Sequence, residues 1–252
     1  MTNAPYRDDL NKIVILNPKG GCGKTTLATN LASYFALRGP TPTLIDCDPK
    51  GYTERWLERR PPGSRKIKGI ASDEFVMHGY RNWPFRTPKE AGAVIIDSPA
   101  ALSRRDISEL TRDADCILVP ILPSTFDIQV TTSFIAELLL LTDFELPVAV
   151  VANRTRQNTK SLKMLMRILA NLETPTIAVL RDSQNYVYAA AHGLGIYEMP
   201  HFRVRQDLEQ MGLIIDWLDQ QLMSTFEPTL ISRVNPLPNL FASSAFGHSH
   251  PE

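Results

Sequence analysis

A glycine-rich loop holds the residues whose types and spacing are best suited to chemistry. It reads K-G-G-C-G-K-T-T over residues 19–26, between an apolar β-branched run and a helix-like run. Its glycines allow the backbone to curl so that N–H groups point at phosphate oxygens, and the helix adds its positive N-terminal end. Lys24 is expected to contact the β- and γ-phosphates of a nucleotide, and the Thr25 hydroxyl to bind Mg²⁺. The residues predicted to line this phosphate site are Gly20, Gly21, Cys22, Gly23, Lys24, Thr25 and Thr26.

Carboxylates follow two predicted buried strands. Asp46 and Asp48 end the run L-I-D-C-D, and Asp97 ends the run A-V-I-I-D. Ligands in open α/β sheets bind beyond the carboxyl ends of the strands, and a carboxylate delivered by a buried strand after such a loop typically lies at Mg²⁺. We therefore expect Asp97 to lie beside the metal. For Asp46, the residues alone leave a helix or turn cap open.

A second lysine, Lys19, lies five residues before Lys24, and Pro18 stands where the standard phosphate-loop pattern begins with glycine. The loop, the run D-C-D-P-K-G and the segment 118–129 together resemble the ParA/MinD family of ATPases, whose loop is a deviant Walker A motif. The resemblance covers roughly residues 10–220. It implies that Lys24 binds ATP in its own subunit, while Lys19 reaches across a dimer interface to the ATP of the other subunit.

The resemblance also implies roles for individual residues. The residues implied as catalytic are Lys19, Lys24 and Asp48. Asp48 would position the attacking water, and Asp46 would support the Mg²⁺ shell beside Thr25 and Asp97. Asn153, just beyond a predicted strand, would bind the adenine base, with a turn-forming asparagine as the alternative. Lys50 stands where the family has glutamine, which leaves the detail of this segment open.

The segment 154–167 is basic, with five Lys or Arg residues and no Asp or Glu. Its apolar residues have the period of an amphipathic helix, which puts Lys160, Lys163 and Arg167 on the outer face. Such a face is often only solvated. The resemblance implies another role, because ParA-type dimers bind DNA without sequence preference through basic residues, and such binding depends strongly on salt. The candidate contacts are Arg154, Arg156, Lys160, Lys163, Arg167, Arg203 and Arg205.

The elements that must position these residues alternate along the chain. Apolar strands are predicted at 12–17, 42–48, 91–99, 115–121, 147–153 and 175–180, and helices at 25–39, 104–113, 127–141, 158–171, 183–192 and 204–223. This alternation predicts a mainly parallel twisted sheet with helices on both faces. With the phosphate loop, it gives the α/β fold class of a single-domain P-loop NTPase. Residues 59–90 lack a clear period and are expected to form a surface excursion with a short helix.

Composition and termini complete these expectations. The 252 residues balance 27 Lys and Arg against 27 Asp and Glu, so overall charge does not favour nucleic acid. We expect an ATPase domain over residues 1–224 and a flexible Pro/Ser-rich tail over 225–252. The polar start predicts no signal peptide. Three scattered cysteines predict reduced thiols in the cytoplasm rather than a disulfide or metal framework.

Together these features favour a small ParA-type ATPase that uses ATP and Mg²⁺. We expect an ATP-dependent sandwich homodimer that binds non-specific double-stranded DNA on the nucleoid and positions a plasmid, a chromosome or a protein compartment such as a carboxysome. A ParB-like or cargo-adaptor protein would stimulate slow hydrolysis. The alternatives are a MinD-like membrane-cycling ATPase, a metabolic enzyme on the same scaffold, and a scaffold that binds ATP with little turnover. The tail makes a poor amphipathic helix, so no membrane partner is expected.

Overall fold

The computed structural model describes residues 11–71 and 92–224, with side chains as far as residue 221. The strands in this part of the chain are β1 Asn11–Ile15, β2 Thr43–Asp46, β3 Lys68–Ile70, β4 Ala93–Asp97, β5 Cys116–Ile121, β6 Val148–Thr155 and β7 Thr176–Arg181. They form one sheet in the order β3-β2-β4-β1-β5-β6-β7. Every described strand pair is parallel. The carboxyl ends of all these strands therefore meet at one edge of the sheet.

The helices in the described ranges follow the strands. They are α1 Lys24–Arg38, α2 Tyr52–Glu58, α3 Arg104–Thr111, α4 Thr125–Leu141, α5 Lys160–Leu169, α6 Gln184–Ala191, α7 His201–Ser224 and a 3₁₀ helix Ile196–Glu198. A hydroxyl that accepts a first-turn N–H caps α3, α4, α5 and α6, which fixes where these helices begin. None of the described helices is long and apolar enough to cross a membrane.

The helices cover both faces of the sheet because side chains alternate along each strand. Ile13 and Ile15 join a core with α1, α2, α6 and α7, whereas Val14 and Leu16 join a second core with α3, α4 and α5. All four of these side chains are fully buried. The predicted α/β fold class, with a parallel sheet covered on both faces, is confirmed.

Two short elements differ from the prediction. Helix α2 and strand β3 were not predicted. Residues 68–70, within the surface excursion expected over 59–90, form β3, and the short helix expected in that range stays a prediction because it could lie among residues that the structure does not describe. Helix α2 and β3 were missed because they are too short for a hydrophobic period; β3 has three residues, of which none is buried. It is an edge strand that exists through its pairing with β2. Residues 72–91 and the predicted tail at 225–252 lie outside the described residues.

Candidate nucleotide-binding site

The loop between β1 and α1 has the curled backbone that its glycines predict. Gly21 and Gly23 have φ angles of 79° and 103°, a region that residues with a Cβ rarely adopt. A Cβ at Gly23 would also lie 2.1 Å from Asn153 Nδ2. Helix α1 begins at Lys24, directly after this glycine. Its unpaired N-terminal N–H groups therefore belong to the loop, as an anion site requires.

Lys24 is enclosed by the loop. Its side chain is 7% exposed, and its Nζ donates hydrogen bonds to the carbonyl oxygens of Asn17 at 2.8 Å and Lys19 at 3.1 Å. A buried ammonium is tolerated only when it is hydrogen-bonded or paired. The loop therefore holds this charge inside its own curve, where a phosphate would be bound.

Lys19 is fixed in a different way. Its backbone N–H donates to Asn17 Oδ1 at 2.8 Å, and its carbonyl oxygen accepts from Lys24 Nζ and from Cys22 Sγ. The residue is half-buried. Its ammonium has no hydrogen-bond or ion-pair partner in the described part of the chain. Both peptide groups of Lys19 are thus held while its charge remains available.

Asp97 ends β4 and lies directly beside the loop. It is 1% exposed, and its Oδ2 accepts a hydrogen bond from Thr25 Oγ1 at 2.7 Å. Its Oδ1 is buried with no hydrogen-bond partner among the residues described. Burial raises the pKa of Asp97 to about 7; the Thr25 hydrogen bond and Lys24 oppose this rise, and the charge of Asp46 adds to it. The described residues therefore leave Oδ1 of this carboxyl without a partner.

An orphaned carboxylate oxygen next to a hydroxyl fits Mg²⁺. This ion prefers oxygen ligands, and proteins usually hold it through one or two carboxylates together with substrate phosphates. Within residues 11–71 and 92–224, no group of three or more His, Cys, Asp or Glu side chains could hold a metal alone. Thr25 and Asp97 therefore suit an ion that arrives with a nucleotide.

Asp46 and Asp48 organise the segment after β2. Asp46 is 1% exposed and accepts backbone N–H groups from Asp48 and from Thr53, each at 2.9 Å. Asp48 is half-buried, and its Oδ1 accepts the Lys50 N–H at 3.0 Å. The contacts of Asp46 are those of the helix or turn cap that its sequence left open. Its metal role and the water-positioning role of Asp48 stay predictions.

Asn153 connects the end of β6 to the loop. Its Nδ2 donates to the Cys22 carbonyl oxygen at 2.8 Å, and its Oδ1 accepts the Arg154 N–H at 2.9 Å. The side chain is 8% exposed. In this structure the amide therefore supports the loop backbone, and its predicted contact with adenine stays a prediction.

The sequence interpretation gave no role to two residues that the fold brings to this site. Asn17 contacts both loop lysines, and Tyr186 of α6 lines a small pocket beside α1. The pocket is lined by Thr26, Leu27, Pro120, Val151, Asn153, Leu180, Tyr186 and Met211. Burial raises the pKa of the Tyr186 phenol, which therefore stays protonated. The sequence could have indicated Asn17, because it lies two residues before Lys19. It offers no such indication for Tyr186, which lies on α6 and reaches the site only through the fold.

The predicted DNA contacts are divided between the two faces of the sheet. Helix α5 packs with α3 and α4, whereas α7, which carries Arg203 and Arg205, packs on the other face. Arg156 pairs with Asp182 at 2.9 Å and Arg205 with Glu209 at 3.1 Å. The guanidinium of Arg203 lies 4.6 Å from the centre of the Tyr188 ring.

The three basic residues of α5 differ from these. Lys160, Lys163 and Arg167 are exposed, and none has an ion-pair partner in the described ranges. The opposite side of the helix is apolar and packed, with Leu162, Leu165 and Leu169 buried. The amphipathic helix predicted here is therefore confirmed, with its positive charge facing outward. Arg154 is exposed at the end of β6, and contact of any of these residues with DNA stays a prediction.

Comparisons with known proteins agree with this geometry. The chain is 27% identical over 194 residues to the maintenance of carboxysome distribution protein A of Halothiobacillus neapolitanus, which covers 74% of this chain and 87% of the relative. A plasmid partition protein of Borrelia burgdorferi, solved with AMPPNP, superposes with a TM-score of 0.64 at 13% identity over 82% of this chain and 99% of its own. The septum site-determining protein MinD of Pyrococcus horikoshii, solved with Mg-ADP, has a TM-score of 0.57 at 15% identity, covering 74% and 87%.

The sequence also matches a family model over the region that carries the site. The CobQ/CobB/MinD/ParA nucleotide binding domain matches residues 13–196, from β1 to the 3₁₀ helix. This range includes both loop lysines, Thr25 and Asp97. The chain belongs to the ParA/MinD family of nucleotide-binding ATPase domains.

Proposed function

We propose that this chain is a ParA-type positioning ATPase that switches with ATP between a monomer and a sandwich homodimer. The observation that carries the proposal is the contrast between the two loop lysines. Lys24 is enclosed by carbonyl oxygens, whereas Lys19 has a fixed backbone and an ammonium without a described partner. A loop that binds one nucleotide needs only the first lysine. The second suits the phosphates of a nucleotide bound by another subunit.

ATP hydrolysis follows from the residues around the loop. Lys24 binds the β- and γ-phosphates, and Lys19 completes the site across the dimer. Thr25 and Asp97 would hold Mg²⁺, which would supply positive charge to neutralise the phosphates. Asp48 positions the attacking water. Because the full set of charges assembles only in the dimer, turnover is slow until a partner protein stimulates it.

DNA binding rests on α5. Its unpaired residues Lys160, Lys163 and Arg167 provide phosphate contacts without reading base edges, which gives non-specific, salt-dependent binding. Arg154 lies at the start of the same connection. Arg156, Arg203 and Arg205 already have partners within the chain and contribute less.

The cargo is plasmid, chromosome or protein compartment. The Halothiobacillus relative is named for carboxysome distribution and the Borrelia protein for plasmid partition. The carboxysome relative is the more similar in sequence and favours a protein compartment. A ParB-like or cargo-adaptor protein completes the cycle in the cytoplasm, with the ATP-bound dimer on the nucleoid.

The experiment that tests this function is binding to random-sequence duplex DNA with AMPPNP, with ADP and without nucleotide, at two salt concentrations. We expect binding with AMPPNP only, weaker at the higher salt. Lys19→Ala should still bind nucleotide but neither dimerise in light scattering nor bind DNA. Equal DNA binding in every nucleotide state would contradict the proposal. Absence of DNA binding together with AMPPNP-dependent binding to anionic vesicles would support the MinD-like alternative instead.

A further inference from the structure

Asn17 is a fully buried amide that contacts both loop lysines. Its side-chain Oδ1 accepts the Lys19 backbone N–H at 2.8 Å, and its main-chain carbonyl oxygen accepts a hydrogen bond from Lys24 Nζ at 2.8 Å. Its Nδ2 donates to the Pro120 carbonyl oxygen at 2.8 Å and to Thr131 Oγ1 at 3.0 Å. Both N–H groups of the amide and its oxygen are therefore bonded.

These bonds join three parts of the site. The oxygen of the amide holds the loop, while its nitrogen holds the end of β5 and the second turn of α4. No other side-chain type of this size offers two donors and an acceptor in fixed positions. Aspartate would keep the acceptor and lose both donors, and alanine would lose all three bonds. Because the amide is buried, loss of its bonds leaves buried polar groups without these partners, which is costly.

The two lysines depend on Asn17 through different groups. Lys24 is held by main-chain carbonyl oxygens, which remain when the side chain at position 17 is changed. Lys19 is held through its N–H by the side-chain oxygen. A change of this side chain therefore acts on Lys19 and spares the direct contacts of Lys24.

We propose that Asn17 is the positioning residue for Lys19, setting the backbone from which its ammonium extends and tying that backbone to β5 and α4. The inference rests on the role of Lys19 in the proposed dimer and adds a residue that controls it. Asn17 acts through Lys19 and does not itself touch the nucleotide. Its loss should therefore weaken dimer assembly more than nucleotide binding.

The test compares Asn17→Ala with Asn30→Ala in the full chain. Asn30 is a matched control because it is 2% exposed and its amide makes two hydrogen bonds, neither of which involves Lys19 or Lys24. Its Nδ2 donates to the Thr26 main-chain carbonyl oxygen within α1, and its Oδ1 accepts the Ile196 N–H. ADP affinity of the monomer reports Lys24, and AMPPNP-dependent dimerisation reports Lys19. For Asn17→Ala we expect the dimer dissociation constant to rise at least tenfold and ADP affinity to change less than threefold. Asn30→Ala should leave both near the wild-type values.

A second measurement does not depend on dimerisation. Amide hydrogen exchange at Lys19 in the nucleotide-free monomer should accelerate in Asn17→Ala and stay slow in Asn17→Asp, which keeps the acceptor. Unchanged exchange at Lys19 in the alanine variant would overturn the positioning role, as would equal losses of ADP affinity and dimerisation. If Lys19→Ala dimerises normally while Asn17→Ala speeds exchange, the proposed dimer role of Lys19 fails and the positioning contact stands.

Discussion

At the scale of one residue, Asp97 is a buried carboxyl whose ionisation is unfavourable. Its carboxyl is buried at the end of β4 with one oxygen unpartnered among the described residues, and its pKa is raised from 3.8 to about 7. A rise of this size means that ionising this carboxyl costs about 4 kcal/mol more in the folded chain than in the unfolded chain. A cation bound with the nucleotide would relieve this cost, so the same residue that lowers the stability of the folded chain would favour binding of the cation.

Asp97→Asn should make the metal-free, nucleotide-free protein more stable at pH 8 than the wild type. Between about pH 4 and pH 7 the folded wild type binds more protons than the unfolded chain, so its free energy of unfolding falls as pH rises through this window. The asparagine does not ionise, so the free energy of unfolding of the variant does not fall in this way. Urea unfolding at pH 4.5 and pH 8 measures the free energy of unfolding of both proteins. The variant should be more stable than the wild type by a few kcal/mol at pH 8 and by little at pH 4.5. The same gain at both pH values would contradict the raised pKa.

Asp48→Ala should bind ATP and dimerise but hydrolyse slowly. The Asp48 carboxylate is half-buried, and its described contact is the Lys50 N–H, so it is available to a water. We expect the hydrolysis rate to fall about 100-fold or more, as for the loss of a group that handles the reacting water. Glu58→Ala, at an exposed position of α2, is the control and should hydrolyse at the wild-type rate. Wild-type turnover in the Asp48 variant would remove this residue from the mechanism.

At the scale of the element, one face of α5 packs against the rest of the fold and the other presents positive charge to the outside. Three leucines fix it to the sheet, while its basic residues face outward without an acidic partner in the described chain. A charged face is normal for a surface helix, so spacing alone could not distinguish solvation from DNA contact. The structure adds that these charges are not compensated locally, unlike Arg156 and Arg205.

Changing Lys160, Lys163 and Arg167 together to Glu should weaken DNA binding and flatten its dependence on salt. Each lost phosphate contact lowers the slope of log affinity against log salt by about 0.9. The control is the same change at Arg65, Lys66 and Lys68, which are also exposed and give the same net charge. Measurements with AMPPNP at several salt concentrations compare the two. An equal loss in both variants would mean that net charge, not α5, governs binding.

At the scale of the whole molecule, the balanced charge of 27 basic and 27 acidic residues means that the chain has no overall attraction for DNA. In the proposed cycle, the dimer carries two basic α5 surfaces, one on each subunit, and it forms only when ATP is bound. Association then makes binding depend on the nucleotide, because two weak surfaces on one particle bind more tightly than either alone.

The apparent melting temperature should therefore depend on protein concentration with AMPPNP and Mg²⁺, but not with ADP. A ligand that binds the folded state at 100 times its Kd stabilises it by about 2.7 kcal/mol, and a dimer adds a term that grows with protein concentration. Thermal scans over a hundredfold range of concentration measure this. Lys19→Ala should keep the stabilisation by nucleotide and lose its dependence on concentration. Concentration dependence with both nucleotides would indicate a dimer that ATP does not control.

The local patterns of the sequence predicted much of this protein. The glycine loop, the buried strand that ends at Asp97 and the apolar periods of most helices depend on neighbours within a few residues, so they could be recognised without the fold. β3 and α2 were missed because neither is long enough to show a period.

Only the tertiary structure decided which distant residues meet. Asn17 bonds Pro120 and Thr131, 103 and 114 residues away, and Asn153 bonds Cys22 across 131 residues. These contacts exist because β1, β5 and β6 are neighbours in the sheet, and strand order is set by the packing of the whole chain. The same packing put α5 and α7 on opposite faces of the sheet, which divided the basic residues that we grouped as one set of candidate DNA contacts.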